Sequence, residues 1–127
     1  MNSRASVLFV CLGNICRSPL AEAAFRRAAE LAGLAVQVDS AGTGDWHVGH
    51  PPDPRARAIA LANGVDIAHY RARQLCADDF RRFDHVFVMD RSNLSDASRL
   101  VPTDARSRPV LLLDLVHGLA GQSVADP

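Results

Sequence analysis

Short apolar runs alternate along this chain with stretches whose apolar residues recur every three to four positions. The run ASVLFVC, Ala5 to Cys11, has the length and continuity of a buried strand, and helical spacing follows from about Pro19 to Ala32. LAVQVDSAG alternates at Val36 and Val38, as a strand does. A loop rich in Gly, Pro and Asp, GTGDWHVGHPPD, separates it from the next helix. That helix runs from Pro54, a favoured first position after Asp53, to Asn63, where Gly64 stops it. DDFRRF predicts a short helix, DHVFVMD a buried strand, SNLSDASRL a helix and RPVLLLDL a last strand.

Strands that read as continuous apolar runs and alternate with helices predict a parallel sheet covered on both faces. The expectation is a three-layer α/β/α fold around a central four-stranded parallel sheet, one domain over residues 1–127. In such sheets ligands bind beyond the carboxyl ends of the strands, near the point where strand order reverses. The turn from Cys11 to Arg17, between the first strand and the first helix, lies at such an end.

Composition narrows the function classes. A chain of 127 residues is the size of one domain and buries roughly two-thirds of the surface its unfolded form exposes. No apolar stretch approaches the roughly 20 residues that span a bilayer, and MNSRAS lacks a secretory pattern, so the reading is a cytoplasmic protein with no membrane partner. Three cysteines, Cys11, Cys16 and Cys76, are too few for a disulfide framework and fit a reducing compartment. Net charge is zero and no basic run is interleaved with aromatics, which argues against a nucleic-acid partner. All 14 basic residues are arginine, a bias that codon usage explains, so only individually placed arginines carry an argument.

The opening turn places candidate chemistry together: Cys11, Leu12, Gly13, Asn14, Ile15, Cys16, Arg17 and Ser18, with Pro19 in the helix start. A short loop closing over a helix N-terminus aims successive backbone N–H groups inward and makes an anion-sized nest, to which the helix dipole adds partial positive charge. Gly13 and Asn14 are residue types that tolerate the positive φ of a tight curl. Arg17 can grip two oxygens of a phosphate at once. The same positive field favours thiolate over thiol at Cys11, and Ser18 can donate to that sulfur. The alternative, a buried cysteine that fills a strand end, leaves this spacing unexplained.

VCLGNICRSPLAEA resembles the signature of the low-molecular-weight protein tyrosine phosphatases, C-x5-R followed by Ser-Pro. The resemblance continues through VDSAGTGDWHVGHPPD, HYRARQL, FDHVFVMDRSN and the final DP, essentially the whole chain. It implies hydrolysis of a phosphotyrosine-containing protein substrate through a cysteinyl-phosphate, with neither metal nor other cofactor. By the same resemblance Cys11 is the nucleophile, Arg17 and the loop amides hold the transferring oxygens, and Asp126 protonates the leaving oxygen and then activates water. A tyrosine oxygen, with a pKa of about 10, leaves poorly without such an acid. Asn14, Ser40 and His69 match a hydrogen-bond network that holds the loop curled, and Asp90, Ser92 and Asn93 match its buttress. Trp46, in a polar loop between Asp45 and His47, reads as an aromatic wall for a phenyl ring. His47 and His50 stand three apart, and without further ligands they read as solvent-facing rather than as a metal pair.

Three rival readings differ in identifiable residues. Thioredoxin-coupled arsenate reductases share C-x5-R-S but add a later pair of cysteines, where this chain has Cys76 alone. Protein-arginine phosphatases carry threonine where Ile15 stands here, and Ile15, Leu12 and Trp46 together favour a phenyl ring. A phosphate-binding module without turnover is the non-catalytic alternative. Members of the resembled family continue past the Asp-Pro with an aromatic pair and a final helix. The expectation is therefore that residues 1–127 lack that helix, and that either the product is longer or something else covers the sheet face left bare.

Overall fold

Seven apolar or small residues in sequence build the central strand, and everything else is arranged on it. The computed structural model describes residues 5–125. Its elements in chain order are β1 (Ala5–Cys11), α1 (Arg17–Leu31), β2 (Val36–Gly42), α2 (Pro54–Ala62), α3 (Asp79–Arg82), β3 (His85–Val88), α4 (Arg91–Ser98) and β4 (Pro109–Leu111), followed by a 3-10 turn at Leu112–Leu115. The four strands form one parallel sheet in the order β2-β1-β3-β4. Strand order therefore reverses at β1, and the carboxyl end of β1 is the switch point, where crevices for ligands open.

Alternate residues of β1 serve opposite layers, as the period of two requires. Leu8 and Val10, both fully buried, pack with Phe80, Phe83, Val86, Val88 and Ala97 under α3 and α4. Val7, Phe9 and Cys11 point the other way, into a cluster with Val38 and Met89 against which Ala21 and Phe25 of α1 pack. Burying a side chain such as Leu8 stabilises the fold by about 1.5–3 kcal/mol, so β1 is anchored from both sides before its last residue reaches the site. Among the described residues β3 and β4 are backed by a helix, α4, on one face only. On the other face Phe87 and Leu112 stay half-buried and Val110 is exposed.

Local signals place the helix starts. The carboxylate of Asp53 accepts the N–H of Arg55 at 2.8 Å and caps α2, with Pro54 at its first position. Asp90 caps α4 by accepting the N–H of Asn93 at 2.7 Å. The last strand is shorter than the apolar run RPVLLLDL implies. Pairing ends with Val88 opposite Leu111, because beyond Val88 the N–H of Met89 turns to the carbonyl of Val10, and Leu112–Leu115 coil into the 3-10 turn. No described helix is long and apolar enough to cross a membrane.

Candidate active site

At the end of β1 the chain curls through residues 12–16 and enters α1 at Arg17. Cys16 opens that helix without a side-chain capping hydrogen bond, and no acidic residue stands in its first turn. Helix N–H groups at such an end suit an anion. Asn14 takes φ +58°, the left-handed conformation that the curl demands and that asparagine tolerates. Gly13 does not share it. Its small size answers a different need, since a Cβ there would lie 2.9 Å from the ring of His47. At the end of β2, Gly42 lets two backbones meet: a Cβ would stand 2.7 Å from the carbonyl oxygen of Leu12 and 3.1 Å from the nitrogen of Asn14.

The sulfur of Cys11 is buried at the base of this curl, where the N–H of Asn14 donates to it from 3.3 Å. The hydroxyl of Ser18 lies 3.0 Å from the sulfur. That hydroxyl already accepts the side-chain amide of Asn14 at 2.8 Å. Its single proton therefore faces either the sulfur or the more distant carbonyl of Ala41 at 3.5 Å, and the shorter contact is the one to sulfur.

Beneath the loop runs a chain of buried polar groups. The amide of Asn14 also donates to Ser40 Oγ at 2.9 Å, and Ser40 donates onward to Glu22 Oε1 at 2.7 Å. Glu22 is ion-paired with Arg26. Burial pushes the Glu22 carboxyl above its ordinary range, with the hydrogen bonds from Ser40 and Arg26 opposing that shift. On its other side the amide oxygen of Asn14 accepts the N–H of Arg73 at 3.0 Å. The guanidinium of Arg73 clasps the fully buried carboxylate of Asp79 through two bonds of 3.1 and 3.0 Å and reaches Asp39 at 3.1 Å. Burial works against the charge on Arg73, and these two carboxylates more than offset it.

Arg17 is buried, and its Nη1 donates to Asp90 at 2.7 Å and to the carbonyl of Val124 at 2.9 Å. Asp90 thus serves two elements, accepting from Arg17 with one oxygen and capping α4 with the other. Asn93 is buried behind it, whereas Ser92 is exposed on the first turn of α4. A cavity of about 210 Å³ opens over the loop. Cys11, Cys16 and Arg17 form its floor; Leu12, Ile15, Trp46 and His47 line it together with Asp53 and Arg55. Trp46 is 67% exposed, with its ring packed over Gly44. A larger, mostly apolar cavity of about 500 Å³ lies between α1 and α2, away from these groups.

The structure brings Cys11, Asn14, Ser18 and Ser40 into one hydrogen-bonded set and Arg17 with Asp90 into a second. It does not bring His69 there. His69 is exposed, its ring in edge contact with Tyr70 at 4.9 Å. Glu22 closes the network instead, and Tyr70 is the aromatic side chain beside it, with Arg26 stacked 5.9 Å from its ring centre. In the turn-rich stretch 66–74 a shift of one residue decides which side chain points inward. Asp126 lies outside the described residues. Sequence reasoning missed Glu22, Arg73 and Asp79. Glu22 follows Ser18 by one helical turn and so shares its face, a usable signal; nothing local announces the other two.

A buried thiol at the carboxyl end of β1, the switch point of a parallel sheet, with an N–H donating to its sulfur and a buried arginine six residues on, is the arrangement of a phosphate-binding loop. Residues 6–127 match the family model described as low molecular weight phosphotyrosine protein phosphatase, and the chain belongs to that family. It is 45% identical over 130 residues to the low molecular weight phosphotyrosine protein phosphatase of Schizosaccharomyces pombe, an alignment spanning all of this chain and 83% of that protein. The crystal structure of YfkJ from Bacillus subtilis superposes with a TM-score of 0.92 at 41% identity, covering 99% of this chain and 80% of that one. The crystal structure of a Drosophila arginine phosphatase matches with a TM-score of 0.78 at 33% identity, covering 91% and 84%.

Proposed function

We infer that this chain is a protein tyrosine phosphatase in which Cys11 is the nucleophile, Arg17 and the loop amides hold the phosphoryl group, and Asp126 is the general acid and base. The observation that carries the reading is the buried Cys11 sulfur, which receives the Asn14 N–H and faces Ser18 on the floor of the Arg17-lined cavity. Donors aimed at sulfur support the thiolate that must attack.

The chemistry then follows in two displacements. The Cys11 thiolate attacks phosphorus in line; the S–P bond forms as the P–O bond to the tyrosine breaks, and the leaving oxygen takes the Asp126 proton. Water then gives a proton to the Asp126 carboxylate while its oxygen attacks phosphorus. The P–S bond breaks, inorganic phosphate forms and the thiolate returns to Asn14 and Ser18. Positive groups fixed around the transferring oxygens supply most of the stabilisation in such transfers.

Substrate class rests on the cavity wall. Leu12, Ile15 and Trp46 offer apolar and aromatic surface over the floor, which fits a phenyl ring better than a guanidinium. The match to an arginine phosphatase keeps phosphoarginine as the second reading, with Ile15 as the discriminating residue. An arsenate reductase would need a pair of cysteines beyond the loop; Cys76 stands there alone and lines a separate cavity with Thr43 and Asp96. Free thiols at Cys11 and Cys76 fit a cytoplasmic location.

Hydrolysis of phosphotyrosine, phosphoserine and phosphoarginine peptides tests this directly. The expected order of kcat/KM places phosphotyrosine first. Cys11→Ser should abolish turnover yet retain phosphate binding, and residual activity above about one per cent of wild type would remove Cys11 from the role.

A further inference from the structure

Three consecutive residues after β3 hold three different things. The carbonyl of Met89 accepts the N–H of Val124 at 2.7 Å, and the carboxylate of Asp90 accepts Arg17 Nη1. Arg91 takes hold of the segment that leads to Val124: its backbone N–H donates to Ser123 Oγ at 3.3 Å and its Nε donates to the carbonyl of Gly121 at 3.0 Å. Gly121 turns at φ +79°, and a Cβ there would stand 3.2 Å from Arg91 Nη2, so the glycine is what lets the guanidinium lie against the turn. The far end of this strap, the carbonyl of Val124, is the second acceptor on Arg17 Nη1.

We propose that Arg91 is a positioning residue for Arg17, acting through the 121–124 strap. The inference rests on the reading of Arg17 as the phosphate grip. Gln122 and Ser123 are exposed and Val124 is half-buried, so the strap has little apolar burial to fix it. Segments of that kind open locally at low cost. Arg91, together with Met89 and the Asp114 carboxylate that accepts the Gly121 N–H at 2.5 Å, supplies the polar ties that hold the Val124 carbonyl in reach of Arg17. A planar guanidinium recognises phosphate by orientation as much as by charge. Held at Nη1 by Asp90 and Val124 together, it is fixed more tightly than by Asp90 alone.

The test is the inhibition constant of inorganic phosphate, measured with melting temperature on Arg91→Ala and Arg91→Gln. Glutamine places an amide nitrogen at the chain position of arginine Nε, so it keeps the donor to Gly121 and removes the charge. The expected result is roughly a three- to tenfold weaker phosphate affinity in Arg91→Ala, the scale of one ordinary hydrogen bond. Arg91→Gln should recover most of that affinity, and the melting temperature should stay near wild type in both variants. Unchanged affinity in Arg91→Ala overturns the inference, and so does a loss that Arg91→Gln fails to recover, which would mark an effect of charge. Arg17→Lys separates the two levels. If phosphate affinity survives that change, the reading of Arg17 fails. If affinity falls there and Arg91→Ala changes nothing, only the role of Arg91 fails.

Discussion

The two sides of the phosphate loop are held by opposite means. Beneath it, Asn14, Ser18, Ser40 and Glu22 form a chain of buried side chains mounted on the loop itself, β2 and α1. Beside it, Arg17 meets a carboxylate on the first cap of α4 and a backbone carbonyl on an exposed strap. The buried side determines the shape of the loop, because each missing bond there leaves a polar group dry and unpaired, which costs about 1–3 kcal/mol. This second side determines where the guanidinium points, and along its strap, where Gln122 and Ser123 are exposed, water can replace a lost bond. Damage to the first should therefore unfold and inactivate together, whereas damage to the second should separate function from stability.

The largest expected effect breaks the buried side. Asn14→Ala removes three side-chain hydrogen bonds and places a Cβ-bearing residue without asparagine's tolerance at φ +58°. We expect a loss of about 2–4 kcal/mol in denaturant unfolding, with kcat/KM falling at least a hundredfold. Full activity with lowered stability would mean the network only supports the fold.

Asp126→Asn tests the proposed acid, which would be needed only where the departing oxygen needs its proton. Rates for a series of aryl phosphates should become steeply dependent on phenol pKa. The loss should be roughly a hundredfold on phosphotyrosine and much less on a nitrophenyl ester, while the unfolding midpoint stays in place. An unchanged, shallow dependence would show that another group gives the proton.

The smallest effect is in pH dependence. Burial raises the Glu22 carboxyl above its ordinary 4.5 in the folded protein, against the pull of Ser40 and Arg26. The folded state then binds that proton more tightly than the unfolded state. Its contribution to stability is fully present below 4.5 and declines as pH rises through the raised value. Glu22→Gln should flatten this part of the stability curve, measured as unfolding midpoints from pH 4 to pH 8 (the window runs upward from about the ordinary carboxylate value). Asp84 behaves in the opposite sense. The N–H and hydroxyl of Ser6, and then Arg106, hold it below 3.8, so its contribution is lost as pH falls through that lowered value. A slope that survives in Glu22→Gln would place the titration elsewhere.

Much of this molecule is legible in one dimension because its strands and helices have periods that a single sequence displays. ASVLFVC could be recognised as a buried strand, Asp53-Pro54 as a helix start, and Cys11 to Ser18 as one turn, since residues this close in sequence must share a site once the turn closes. The register of β1 against β2 also brings Ser40 opposite Phe9, next to the loop. His69 shows where such reading stops. Between Asp66 and Gln74 no repeat fixes which side chains face inward, and the fold chose Tyr70 over its neighbour.

By itself, then, the sequence determined the parallel α/β pattern, the thiol and arginine of the loop, and the asparagine that lets it curl, because each is set by residues within a turn or by a local period. Only the tertiary structure decided that Glu22 would close the network, that Arg73 would join Asn14 to Asp79, and that Val124 would meet Arg17. Those pairs are 18, 59, 6 and 107 residues apart. Even the six-residue pair Arg73 and Asp79 lies across an irregular segment. Burial, sheet order and the path of the strap select them; helical spacing from Ser18 puts Glu22 on the right face, and no short-range pattern encodes the other partners.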